Sequence, residues 1–247
     1  MKKLLTILLV AGLITCLFVG CTPPTVPSEG EGEPEQVDRV VLVELFMAKG
    51  CPICEGIEPI LEQLADEYNR SELILVEEAV WGGVYATTEN KNRFKWYFPN
   101  SEGVPYTAFN GLNKQVKGTS NYSTFKSYIN AELAKEARIT ITADRSNDSS
   151  TTTITGSIKN ISDAAISNLV INGMIFKDRG MTGFKYSVFD IFEENKVTIS
   201  SLSPDASYSF SFTLEDINWV ANKIHGVIFV QDVDSSTKEI LQAFYVD

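Results

Sequence analysis

Apolar and polar positions along this 247-residue chain fall into two textures that meet near Arg138. Before it, short apolar runs alternate with stretches of helical period. Residues 39–46 read as a buried strand, and residues 52–69 as a helix with Ile57, Ile60, Leu61 and Leu64 on one face. Residues 72–80 read as a second strand and 87–98 as a helix capped by Thr87 or Thr88. Residues 104–109 follow as a strand. Asn110-Gly111 is a hairpin signal leading to a short edge strand at 114–116. A last helix runs from Ser120 or Asn121 to Ala137, with Phe125, Tyr128, Ile129 and Leu133 on one side. After Arg138 the period drops to two. Thr152-Ile154-Gly156-Ile158 alternates with polar neighbours, as does the run from Ser207 to Phe212, and about eight short strands fit residues 138–246.

The N-terminus has its own pattern. Met1-Lys2-Lys3 is basic, and residues 4–19 are apolar but short for a membrane span, which reads as an export signal. Residues 22–38 hold Pro23, Pro24, Pro27 and Pro34 among Gly and Glu, with little to bury. They read as a flexible tether with an r.m.s. span of roughly 20–25 Å. Leu17-Phe18-Val19-Gly20-Cys21 resembles the lipobox of bacterial lipoproteins, with Phe18 where leucine is usual. That resemblance implies cleavage after Gly20 and acylation of Cys21, anchoring the protein in a bacterial membrane at its periplasmic or extracellular face. An ordinary signal peptide or an uncleaved anchor is the alternative. The expected organisation is therefore signal 1–20, tether 21–38, a first domain 39–137 and a second domain 138–247.

Charge adds one exclusion. Asp and Glu number 32 against 21 Lys and Arg, an acidic balance that argues against nucleic acid and anionic lipid as partners.

The candidate chemistry is Cys51-Pro52-Ile53-Cys54, placed between an apolar strand and a helix. A helix N-terminus offers unpaired N–H groups and positive partial charge, both of which favour a thiolate. With Cys16 removed and Cys21 acylated, these are the only thiols of the mature chain. As a staple the pair is weak: a four-residue loop is worth about 1.9 kcal/mol, against about 3 kcal/mol for fifteen residues. Zinc needs four ligands, and the chain offers no third mature thiol and a single histidine, His225. No metal and no cofactor is expected. In an exchange reaction Cys51 attacks and Cys54 resolves the mixed disulfide. Lys49 favours the Cys51 thiolate, whereas Glu55 and Glu58 oppose it, so no extreme oxidant is expected.

Residues 37–137 resemble the thioredoxin fold on three features: the C-x-x-C after the first strand, Val104-Pro105 immediately before a strand, and Glu44 near the place of a buried carboxylate. The likeness implies that Glu44 accepts a proton from Cys54 and that Pro105 is cis. Val104, Tyr106, Pro52 and Ile53 would then border an extended substrate peptide. The chain departs from the family pattern at Gly50, where tryptophan is usual, at Tyr106, where a small residue is common, and in a Glu44–Cys51 spacing one residue longer. Residues 138–247 resemble immunoglobulin- or fibronectin-like modules. The aromatic stretch Trp81, Phe94, Trp96, Tyr97 and Phe98 suits either a peptide groove or a core, and Trp219 suits a core.

The expectation is an α/β thioredoxin-like domain followed by an all-β sandwich. The expected function is a membrane-anchored thiol-disulfide oxidoreductase acting on cysteines of exported proteins, served by a redox partner protein in the envelope. The alternative is a non-catalytic surface lipoprotein that binds protein or glycan.

Overall fold

The computed structural model describes residues 37–148, 150–180, 184–220 and 222–247. The leader, Cys21 and nearly all of the tether lie outside the described residues. The first half runs β1 (Val41–Ala48), α1 (Pro52–Glu67), β2 (Leu73–Trp81), α2 (Thr88–Tyr97), β3 (Tyr106–Phe109), β4 (Lys114–Lys117) and α3 (Tyr122–Leu133). The second half is all strand: β5 (Ile139–Asn147), β6 (Thr151–Asn160), β7 (Ile166–Lys177), β8 (Ser187–Ile191), β9 (Val197–Leu202), β10 (Ser207–Glu215), β11 (His225–Asp232) and β12 (Ile240–Val246).

Local chemistry accounts for the element ends. Thr87 and Asn121 cap α2 and α3 by accepting the backbone N–H groups of Asn90 and Thr124. Asn110 and Gly111 have φ of 46° and 73°, the two positive values a type I′ hairpin requires. Asn110 also ties this hairpin to β1, since its Oδ1 accepts the Leu42 N–H at 2.8 Å.

The pairing of strands corrects the expected architecture. There is no α/β thioredoxin-like domain followed by a separate sandwich. One nine-stranded sheet runs through both halves in the order β12-β11-β7-β8-β2-β1-β3-β4, with β9 also on β7; a second sheet holds β10-β6-β5. The molecule is therefore mainly β, and the described residues form one compact unit. The physical reason lies in β2, whose first eight residues are buried. Such a strand leaves an unpaired edge that must be covered. β8 covers it in parallel: the Glu77 N–H donates to the Tyr186 carbonyl at 2.9 Å, and the Tyr186 N–H donates to the Glu77 carboxylate at 2.9 Å.

Strands β7 and β11 are buried on both faces and feed two cores by alternation. Met174, Phe176, Val227 and Phe229 join the core beneath β1 and α1. Ile171, Ile175, Ile228 and Val230 join the core against the three-stranded sheet, which also takes in Trp219. Arg39 completes the junction, donating to Glu239 at 2.7 Å and to the Ile240 carbonyl at 2.9 Å.

Candidate functional site

Gly50, at φ +74°, makes the turn that ends β1 and delivers Cys51 to the N-cap of α1. Pro52 then occupies the first helical position, where a missing N–H costs nothing. Cys51 and Cys54 form a disulfide with Cα atoms 5.2 Å apart. The Cys54 N–H donates to the Cys51 sulfur at 3.2 Å, so one orphan donor of the helix start points at it. Cys51 is half-buried and Cys54 fully buried; Pro52 and Ile53 are exposed.

The Val104–Pro105 peptide is cis. Val104 is half-buried and packs against the same core as Cys51. Tyr106 lies in a second aromatic core, its ring 4.3 Å from that of Phe98 and 5.6 Å from that of Phe94. Its side chain is buried, not on a substrate-facing surface. Phe94, Tyr97 and Phe98 share this core, while Trp81 and Trp96 remain exposed at its edge.

Glu44 is fully buried, but it faces away from α1. Side chains alternate along β1, and register pairs Leu45 with Glu77 and Phe46 with Glu78 in the parallel neighbour. Leu45 and Glu77 therefore share one face, whereas Glu44, Phe46 and Glu78 share the other. On that second face the Arg93 Nε and the Tyr97 hydroxyl both donate to Glu44. Burial and the neighbouring Glu44 raise the Glu78 carboxyl well above the usual carboxylate range. Burial likewise raises the Tyr97 phenol. Arg93 keeps its proton, held by Glu44, Tyr97 and Glu78 against the pull of burial. One arginine thus neutralises one carboxylate, and the other holds a proton.

The carboxyls on the α1 side are Glu58 and Glu77. Glu58 stands one helical turn after Cys54, at i+4 on the same face. Its pKa is pushed up to about 7, first by burial and then by Glu62 and Glu55. Glu77 is pushed up to about 8 by burial, partly offset by the Tyr186 N–H. One oxygen of each has no hydrogen-bond partner among the described residues. Sequence reasoning treated Glu58 only as a negative charge opposing the Cys51 thiolate and passed over Glu77. The available signal was Glu77-Glu78 inside an otherwise apolar strand, where one of two adjacent acids must face each side.

His225 stacks on Tyr245, pairs through Nδ1 with its hydroxyl, and is pushed down by burial, so it is neutral at pH 7. Among the described residues no cluster of three His, Cys, Asp or Glu could hold a metal ion. Two further cavities matter. One of about 280 Å³ lies between α2 and the second-half strands, lined by Arg93, Trp96, Asn172, Glu193 and Gln231 among others. Another, of about 640 Å³, is walled by Tyr85, Lys177, Asp178, Arg179 and Lys223 among others.

No protein-family model matches the chain, and no curated protein matches it. Among solved structures the chain is similar to HBP35 of Porphyromonas gingivalis. That likeness has a TM-score of 0.69 at 14% identity and covers 85% of this chain and 75% of that one. It shows a shared fold across both halves. A domain of the outer membrane lipoprotein Omp28 from Porphyromonas gingivalis matches with a TM-score of 0.33 at 18% identity, covering 45% of this chain and 88% of that one. A thioredoxin mutant from Halobacterium salinarum matches with a TM-score of 0.30 at 21% identity, covering 39% and 78%. At such scores neither of these two carries an argument.

Proposed function

We propose that the chain is a non-catalytic protein of the bacterial envelope that binds a glycan or a protein surface. The observation that carries this reading is the cavity of about 280 Å³ that α2 and the second-half strands build together. The second half is thereby part of a binding wall and not a spacer. Trp96 is 37% exposed at its edge, with the Lys238 ammonium 3.9 Å over the ring. Asn92, Asn172 and Gln231 supply amides beside it. The ring faces of Trp96 already meet Lys238 and Tyr97, so its exposed edge and the polar lining of Asn92, Glu193 and Lys196 are what suit a hydroxyl-rich ligand. The envelope location is supported by the export-type leader and by Cys21 after Gly20. Palmitate labelling lost in Cys21→Ser supports the anchor, and an unlabelled secreted product removes it. Screening the full chain and Trp96→Ala on a glycan array tests the binding. A hit lost in the variant supports the reading; no hit, or a hit that survives, overturns its glycan form.

A second reading has its own observation. Cys51 is half-exposed at a helix N-terminus with a backbone N–H on its sulfur, which suits thiol-disulfide exchange. It would act on exported cysteine-containing proteins with a redox partner in the envelope. Insulin reduction dependent on both Cys51 and Cys54, with mixed disulfides trapped by Cys54→Ser, would put exchange in place of passive binding. Insulin left intact would retire it.

A further inference from the structure

The chain is acidic overall, with a net charge of −11, yet several cations converge at one basin. The walls of the cavity of about 640 Å³ carry Lys177, Arg179 and Lys223, with Tyr85 and His225 between them. Among the described residues no carboxylate lies within ion-pair distance of these three cations. Two of them rest on aromatic faces instead. Arg179 lies 5.0 Å over Tyr85 and 5.4 Å over Phe189, and Lys177 lies 5.1 Å over Phe189. Lys49, two residues before Cys51, covers Tyr85 at 5.4 Å. An aromatic face attracts a cation without cancelling its charge. Arg179 donates only from Nε, to the Ser187 hydroxyl at 3.3 Å. Its two terminal NH2 groups therefore remain available as a fork.

One acid, Asp178, also lines the basin. Asp178 is exposed on the rim and accepts the Gly180 N–H at 2.7 Å. Burial pushes both Lys177 and Arg179 downward, and Arg179 adds to the effect on Lys177, as expected of cations lacking a counter-ion. The loops that supply Tyr85 and Lys223 also carry Val84 and Val220, which are 90% and 71% exposed. These valines are exposed apolar side chains on loops that wall the basin, although they do not line the cavity itself.

We propose that this basin binds a small organic oxyanion, a carboxylate or phosphate group carried on an apolar body. Arg179 and Lys177 take the charged head, Lys223 closes over it, and Val84 and Val220 meet the body. This site is independent of the cavity beside Trp96.

Calorimetric titration of the full chain at fixed ionic strength, with sodium chloride making up the balance, tests it. The probes are phenyl phosphate, benzoate and inorganic phosphate. Expected is saturable binding of phenyl phosphate or benzoate, at least fivefold tighter than inorganic phosphate. Whichever of the two binds more tightly identifies the head group. Arg179→Gln and Lys177→Gln should each weaken it about tenfold. Lys223→Gln, at an exposed position, should weaken it severalfold without moving the melting temperature. Heats no larger than those of chloride, or affinities unchanged in all three variants, overturn the site. Equal affinity for inorganic phosphate overturns the apolar-body part.

Discussion

The Arg93 guanidinium donates from Nε to the Glu44 carboxylate inside the sheet–α2 core, with a Glu78 oxygen 3.9 Å from the same nitrogen. Both Arg93 and Glu44 are buried, so neither charge has water to fall back on. Arg93→Met would leave Glu44 and Glu78 facing each other without a cation. Urea unfolding at pH 7 should show a loss of about 3–5 kcal/mol. Glu44→Gln should cost less, because Glu78 can release its proton and pair with Arg93 in its place. Equal losses in the two variants would contradict that hand-over.

Glu58 and Glu77 make stability fall as pH rises. Their folded values, about 7 and about 8, lie above the ordinary value of 4.5. Between pH 4.5 and 8 the folded state therefore binds more protons than the unfolded state. Unfolding free energy must then decrease with pH across that window. Their contribution is fully present below pH 4.5 and gone above pH 8. Denaturant melts at pH 5, 6, 7 and 8 should trace a decline of a few kcal/mol in all. Glu58→Gln should flatten the part up to about pH 7, and Glu77→Gln the part up to about pH 8. A profile that rises over this range would show that both carboxyls are solvated.

How much of this was legible in the sequence depends on the range of each interaction. Helices α1 to α3 were readable because 3.6-residue periodicity and capping residues such as Thr87 and Asn121 are local. The Asn110-Gly111 turn was readable because its residues carry the unusual φ themselves. The strand pairings were not. Nothing in Glu77 or Ser187 announces that these two residues become register partners 110 positions apart, and period-two alternation is the same in a separate sandwich as in an extended sheet. Glu44 misled for a related reason. An uninterrupted apolar run hides which face each residue takes, and only the Leu45–Glu77 register shows that Glu44 turns from α1 toward α2.

Reduction of Cys51–Cys54 should barely loosen the fold. The bond closes a loop of four residues, for which chain entropy predicts about 1.9 kcal/mol. Cys54 stays buried in the core whether or not it is oxidised, so its packing is kept. Thermal melts with and without dithiothreitol should therefore differ by only a few degrees. A collapse of the transition on reduction would make the bond a structural staple and remove the strongest reason to test exchange.

Gly111 is the position where the hairpin and the turn between β11 and β12 meet backbone to backbone. A Cβ there would lie 2.1 Å from the Lys238 carbonyl oxygen, and the residue has φ +73°. The Leu112 N–H also donates to the Thr237 carbonyl at 2.6 Å, so the contact cannot open without losing a bond. Gly83, at φ +86° with open space around it, isolates the conformational part of the cost. Gly83→Ala should lose about 1 kcal/mol from the positive φ alone. Gly111→Ala adds a steric clash with backbone that no rotamer relieves, and should lose at least about 2–3 kcal/mol more. Urea melts of the two variants measure the difference. Equal losses would mean that the two turns are not seated on each other in solution.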